Sequence, residues 1–121
     1  MTQTVLARAG GFAQVRHVVA AFYDRVLECE ELHRHFAGID MPRLVDHQTR
    51  LIAGLMAGDH ALDDAHLQRV HARLGITGAE FDNLQRLLHE ILEEFGYEPC
   101  DVDRVCRAFR QRRHLVVTAA G

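Results

Sequence analysis

The sequence lacks long apolar runs. No stretch approaches the ~20 consecutive apolar residues that a membrane-spanning helix needs, so we predict that no segment crosses a bilayer. Residues 1–8 are not followed by the apolar region and cleavage site of a secretory leader. No segment alternates between apolar and polar residues for long enough to predict a strand. Internal repeats, low-complexity tracts and linkers are missing as well, which argues against a multidomain or fibrous protein.

An excess of one charge and a disulfide framework are also missing. The formal net charge is −3, and the basic residues are spread among acidic ones apart from a late cluster at 112–114, so nothing indicates a nucleic-acid partner. The three cysteines are odd in number and show no disulfide spacing, which favours a reducing cytoplasm. With 121 residues and 48% hydrophobic content, the chain predicts one domain over residues 1–121 with a single core. These features together predict a soluble cytoplasmic protein.

Apolar residues recur at steps of three and four, which predicts an all-α fold. Asp40 is a candidate helix cap, with Pro42 in the first turn that follows. Thr77 and Glu80 form a capping-box pattern that predicts another helix start. The longer helices are predicted from Gly10-Gly11 to about Cys29, from Asp40 to about Gly58, from Thr77 to Gly96, and from Pro99 to about Val116.

Several polar side chains lie within these apolar stripes. His71 falls among Leu67, Val70 and Leu74 on a short helix that precedes Gly75. Burying an imidazole is costly unless a partner satisfies it. Two further polar groups, His47 and Gln48, accompany Leu44 on the second long helix, and Tyr23 follows Phe22 on the first. Polar groups that converge from three helices predict a bound cofactor, and haem fits this pattern best.

Haem needs an imidazole for its iron, apolar side chains against the ring and basic groups for its carboxylates. His71 supplies the imidazole on one face. Leu44, His47 and Gln48 share one side of their helix and can cover the other face, which Tyr23 can also reach. Arg43 is one step round the helix and can reach an edge carboxylate. Because gas bound to ferrous iron carries partial negative charge, a phenol or amide donor stabilises it.

At this point the sequence resembles the group I truncated haemoglobins, which are two-over-two helical sandwiches around haem. The resemblance extends from Gly10-Gly11 to about Leu115. Its motifs are Phe22–Leu27, Phe36–Met41, His47-Gln48, and Val70–Ile76 followed by Phe81-Asp82. Two positions depart from the family pattern. Residues 61–66 lack the usual tyrosine and glycine, and Ile52 stands where a phenylalanine is often found.

The resemblance implies a role for each matching residue. His71 corresponds to the proximal iron ligand, Tyr23 to the distal tyrosine, and Gln48 to a distal-helix residue beside the bound gas. Phe36 corresponds to the phenylalanine that packs on haem, and Arg43 to a propionate-binding residue. His47 and His114 correspond to two histidines of cyanobacterial-type members: a second axial ligand, and a covalent link to a haem vinyl group. The other residues predicted to contact the cofactor, haem b, are Met41, Leu44, Ile52, Leu67, Val70, Ile76 and Phe81.

Each assignment has an alternative. The Tyr23 hydroxyl could bond a backbone carbonyl, and Gln48 could lie half-exposed on the helix flank. His47 could point outward beside a propionate, and His114 could belong to a solvated helix end whose positive charges favour the helix dipole. Cys29, His33 and His35 are close in sequence, but their spacing is nonspecific and does not predict zinc.

The resemblance implies a protein that binds dioxygen and other diatomic gases. It also implies nitric oxide detoxification, in which oxygenated haem reacts with nitric oxide to give nitrate and ferric haem, with a reductase as partner. The alternative is a bis-histidyl redox or gas-sensing haem protein that works through a partner without turnover of its own.

Overall fold

The computed structural model describes residues 5–56 and 75–117 of the chain. Its residues within those two ranges form helices and turns, together with an isolated parallel β-bridge between Ile76 and Val117. The all-α prediction is therefore confirmed. The helices are α1 Val5–Arg8, α2 Phe12–Glu28, α3 Glu30–His33, a 3₁₀ turn at Arg34–Phe36, α4 Met41–Met56, α5 Gly78–Glu94, α6 Pro99–Arg110 and α7 Arg113–Val116.

Two helix starts follow the predicted capping chemistry. The backbone N–H of Arg43 donates to the Asp40 side chain at 3.3 Å, so Asp40 caps α4. At α5 the Glu80 N–H donates to Thr77 Oγ1 at 3.1 Å, and the Thr77 N–H donates to Glu80 Oε1 at 3.0 Å. This reciprocal pair satisfies two backbone donors that the first turn of a helix cannot satisfy itself.

The long helices enclose one core. α2 packs on α4 and α5, α5 packs on α6, and α6 packs back on α4. Burying this apolar surface stabilises the fold at about 25 cal/mol per Å². In α4 the buried positions recur at helical spacing, so that one face of the helix lies in the core; they are Leu44, Val45, Gln48, Thr49, Ile52, Ala53 and Met56.

A partly buried ion pair joins α1 to the first turn of α6, and sequence patterns give no sign of it. Arg8 Nε donates to Asp101 Oδ2 at 2.9 Å, and a second guanidinium nitrogen contacts Oδ1. The Asp101 side chain is only 3% exposed. The hydrogen bond from Arg8 is the main reason that the pKa of Asp101 is lowered, and it keeps this buried carboxylate charged.

The predicted last helix is interrupted in the structure. α6 ends at Arg110, and the short helix α7 begins at Arg113. At the break the Arg112 N–H bonds the Phe109 carbonyl, and the Arg112 guanidinium donates to the Ala108 carbonyl at 3.0 Å. The side chain thus replaces the backbone donor that a continuous helix would have supplied. Of the helices in the described ranges, none is long and apolar enough to cross a membrane.

Candidate functional site

Tyr23 lies on the core face of α2 and is only 8% exposed. Its ring makes edge contacts with Phe22 and Phe36, with centroids 5.0 and 5.9 Å away. The hydroxyl makes no hydrogen bond within residues 5–56 and 75–117, so no described backbone carbonyl accepts its proton, contrary to the alternative above. Burial raises the pKa of Tyr23, so the phenol stays neutral and keeps its proton for donation.

Gln48 lies on the buried face of α4, one turn after Leu44 and one turn before Ile52. Its exposure is 7%, so the interpretation that it lies half-exposed on the helix flank is wrong. As with Tyr23, its side chain makes no hydrogen bond to the part of the chain that the structure describes. Two largely buried residues on neighbouring helices therefore carry polar atoms that no described group bonds, and these atoms are not fully enclosed.

The start of α4 carries residues of intermediate and high exposure. Met41 and His47 are partly buried, and Arg43 is exposed. The Arg43 guanidinium forms no ion pair with a described residue, although neighbouring Asp46 is paired with Arg16 at 2.8 Å. The propionate contact of Arg43 and the axial ligation by His47 both stay predictions.

Phe81 and Ile76 are fully buried at the beginning of α5 and just before it. The Phe81 ring stacks on that of Phe109 with centroids 4.9 Å apart and planes 8° from parallel. The Arg113 guanidinium carbon lies 5.6 Å from the centre of the Phe81 ring. Sequence reasoning missed Phe109 because its contact with Phe81 joins two helices.

Two groups of predicted site residues remain untested by this geometry. His71, Leu67 and Val70 lie outside the described residues. His114 is exposed on α7, next to Arg113. Its exposure agrees with the alternative of a solvated helix end and leaves the covalent link a prediction.

Glu80 is a further buried group near the site whose full role the sequence did not show. Its carboxylate accepts a hydrogen bond from His35 Nε2 at 2.6 Å, and Arg34 lies 3.5 Å away. Burial tends to raise the pKa of Glu80, but the hydrogen bonds from the Thr77 backbone and from His35 outweigh it and lower the pKa to about 2. The capping-box pattern identified the bond to Thr77. The partners on the Phe36 turn, 45 and 46 positions away, have no sequence signal.

These residues fit haem. Tyr23 and Gln48 offer hydrogen-bond donors that no described protein group uses, and Phe36, Leu44 and Ile52 offer apolar contact surface.

Among residues 5–56 and 75–117, no three His, Cys, Asp or Glu side chains are grouped so that they could hold a metal ion. Of the cysteines, Cys106 is buried and Cys29 partly buried, whereas Cys100 is exposed.

Known proteins show the same sequence pattern and the same fold. A family model described as bacterial-like globin matches residues 4–118. A group 1 truncated haemoglobin of Mycolicibacterium paratuberculosis is 36% identical over 93 residues, which cover 77% of this chain and 68% of that protein. A second, from a Synechocystis species, is 29% identical over 97 residues, covering 77% of this chain and 78% of the relative.

Solved structures of other proteins share the fold of this chain. A 2/2 haemoglobin of a Synechococcus species, in the cyanomet state and with covalently attached haem, has a TM-score of 0.82 and 26% identity, covering 95% of this chain and 98% of that one. A truncated haemoglobin of Tetrahymena pyriformis has a TM-score of 0.83 and 22% identity over the same shares of the two chains. The predicted two-over-two fold is confirmed by these matches. The chain belongs to the bacterial-like globin family, as a truncated haemoglobin of group 1 with the haem-binding globin fold.

Proposed function

We propose that this protein reversibly binds dioxygen and other diatomic gases at haem b and that it converts nitric oxide to nitrate. Membership of the globin family supports haem binding and diatomic ligands as a class. When bound, the haem supplies an iron that takes up the gas and exchanges electrons with it. The overall conversion is NO + O₂ + e⁻ → NO₃⁻, so each turnover requires one electron from a reductase.

The protein's own residues would hold the haem and donate hydrogen bonds to the bound gas. His71 is the proposed iron ligand, and Arg43 is the proposed partner of a haem propionate. Phe36 and Leu44 would contact the haem ring, together with the other residues predicted to contact haem. Tyr23 and Gln48 donate hydrogen bonds to the gas from the distal side. A neutral phenol suits this role, because an ionised one would repel the partial negative charge on bound oxygen.

One observation carries the proposal: Tyr23 and Gln48 are both buried residues, and neither the hydroxyl nor the amide makes a hydrogen bond to a described residue. Their polar atoms are not fully enclosed by the described residues, so a polar ligand that enters between α2 and α4 can bond them. The direct test is to mix the oxygenated ferrous protein with nitric oxide. Rapid, stoichiometric nitrate formation supports the activity, and oxygen displacement without nitrate contradicts it.

Tyr23→Phe should release oxygen about 10- to 100-fold faster than the wild type, since the lost hydrogen bond is worth about 1.5–3 kcal/mol when its acceptor carries charge. Stopped-flow displacement of oxygen by carbon monoxide measures this rate. Tyr97→Phe is the matched control, because the Tyr97 hydroxyl contacts Met56 Sδ at 4.0 Å and belongs to no proposed site. Equal release rates in the wild type and Tyr23→Phe would show that Tyr23 does not hold the bound gas.

A second candidate function is a bis-histidyl redox or gas-sensing protein that works through a partner. It is favoured by the position of His47, which is partly buried on α4 directly before Gln48. If His47 occupies the sixth iron position, gas entry requires that bond to open, and the apparent affinity falls by the open fraction.

His47→Leu should convert a low-spin ferric visible spectrum to a high-spin one if His47 is an axial ligand. His17→Leu, on the exposed side of α2, should leave the spectrum unchanged. A wild-type protein that is already high-spin at neutral pH contradicts axial ligation at that pH.

Covalent attachment of haem through His114 stays a prediction; the Synechococcus haemoglobin offers a precedent for attached haem.

A further inference from the structure

The α6 helix carries a stripe of arginines that the gas-binding site does not use. Arg104, Arg107 and Arg110 are exposed and stand three positions apart. None of them forms an ion pair with any residue in 5–56 or 75–117. Between 104 and 114 the sequence holds five arginines and no acidic residue, although the net charge of the whole chain is −3. We call the three exposed residues the arginine stripe.

Neighbouring acidic residues neutralise the arginine stripe only in part. The groove between α5 and α6 is lined by two of these arginines and by four acids. Asp82 is paired with Arg113 at 3.5 Å and Glu90 with Arg86 at 3.0 Å, whereas the contact of Glu93 with His89 at 3.2 Å is an ion pair only when the imidazole is protonated. Asp103 is exposed on α6 one turn before Arg107 and forms no ion pair with a described residue. Three stripe arginines against this acid on the same helix leave a local surplus of positive charge, available to an external anionic group.

We propose that the arginine stripe is the docking surface for an acidic electron-donor protein that reduces the haem iron. This inference rests on the proposed function, which consumes one electron per nitric oxide. In the step, one electron leaves the reduced donor and converts ferric to ferrous iron, so the donor is oxidised and no atom is transferred. Steps of three residues place successive arginines about 4.5 Å apart along the axis, a spacing that carboxylates on a partner helix can match.

Phe109 connects α6 to the proposed haem site. It is partly exposed and stacks on buried Phe81, which is one of the residues proposed to contact haem. Because residues two apart on a helix do not face each other, Phe109 lies on the core side of α6 and not on the side of Arg107.

Two features favour a protein partner over an anionic membrane. The apolar face of α6, which includes Val102, Val105 and Cys106, is buried in the core and cannot insert into lipid. The large exposed hydrophobic residues in the described ranges are Phe12, Ile39 and Phe95, none of which lies on α6.

The test uses a reduced or oxidised plant-type [2Fe–2S] ferredoxin as the acidic probe and the haem-loaded protein. Arg107→Glu should weaken binding of the oxidised probe about three- to tenfold at low ionic strength, and the triple change of the stripe should weaken it further. Arg50→Glu is the matched control, because Arg50 is exposed on α4 and makes no ion pair with a described residue. Isothermal titration calorimetry with ferric protein measures binding without turnover. At about 1 M salt the wild type and variants should converge, because the Debye length is then about 3 Å.

Reduction by the same probe, followed in a stopped-flow instrument, should slow by a similar factor in Arg107→Glu, whereas reduction by hexaammineruthenium(II) should not slow. The proposal is overturned if Arg107→Glu and Arg50→Glu change ferredoxin binding and the rate of reduction equally, or if neither variant changes them. Stripe-dependent binding to vesicles of anionic phospholipid without binding of ferredoxin overturns it as well and assigns the surface to membranes. Nitrate formation is measured separately, so failure of the proposed gas chemistry is distinguishable from failure of the docking surface.

Discussion

His71→Ala should leave a protein that no longer retains haem. The imidazole is the proposed axial ligand that joins the polypeptide to the iron. The surrounding apolar residues alone give the iron no axial bond. In protein whose haem is not linked through His114, we expect the Soret band of the purified variant to fall to a small fraction of the wild-type value after gel filtration. Haem transfer to apomyoglobin should be faster by orders of magnitude wherever haem can still be loaded.

His17→Ala is the control for this experiment, because His17 is exposed on α2 and belongs to no proposed site. It should keep the wild-type haem content. Far-ultraviolet circular dichroism of both variants separates loss of the ligand from loss of the fold. An unchanged haem content and spectrum in His71→Ala would refute the ligand assignment and, with it, the proposed gas chemistry.

Glu80→Gln should lower the free energy of unfolding at pH 7 by about 3 kcal/mol, which corresponds to the depression of the Glu80 pKa from 4.5 to about 2. The Glu80 side chain is only 7% exposed and that of His35 only 11%, so solvent screens their bond little, whereas the contact with the 71% exposed Arg34 is screened. Glutamine keeps the size and one acceptor oxygen for the Thr77 N–H but removes the negative charge. Urea unfolding of the cyanide-bound ferric protein measures the difference.

The stability difference between Glu80→Gln and wild type should depend on pH in a defined direction. Because the folded-state pKa is the lower one, the stabilisation by ionised Glu80 is fully present above about pH 4.5 and disappears as the pH falls toward 2. The difference between Glu80→Gln and wild type should therefore shrink over that range. Glu94→Gln, which removes an exposed partner of Arg25, should cost less than about 1 kcal/mol. A pH-independent difference for Glu80→Gln would show that its effect comes from packing and not from charge.

Local patterns predicted the long helices well. The caps at Asp40 and Thr77 fall where the sequence placed them, because a cap depends on residues three positions apart. The burial of Tyr23 and Gln48 also followed from their places in apolar stripes. These features depend on spacing within one helix, which the sequence shows directly.

Contacts between helices could not be predicted in this way. The stack of Phe81 on Phe109 and the bonds of Glu80 to the Phe36 turn join residues from different elements. The break between α6 and α7 was missed because the apolar pattern continues through it, while the Arg112 side chain bonds a carbonyl freed there. Single-sequence periodicity contains no information on which side chain from another element will meet a given group.

The ion pair between Arg8 and Asp101 has a consequence for how the chain acquires its structure during synthesis. The two residues are 93 positions apart, so the ribosome adds Asp101 several seconds after Arg8 at rates of about 5–20 residues per second. The contact with Asp101 cannot form until the largest part of the polypeptide has been synthesised. When it forms, it closes a long loop at an entropic cost that grows slowly with the loop's length.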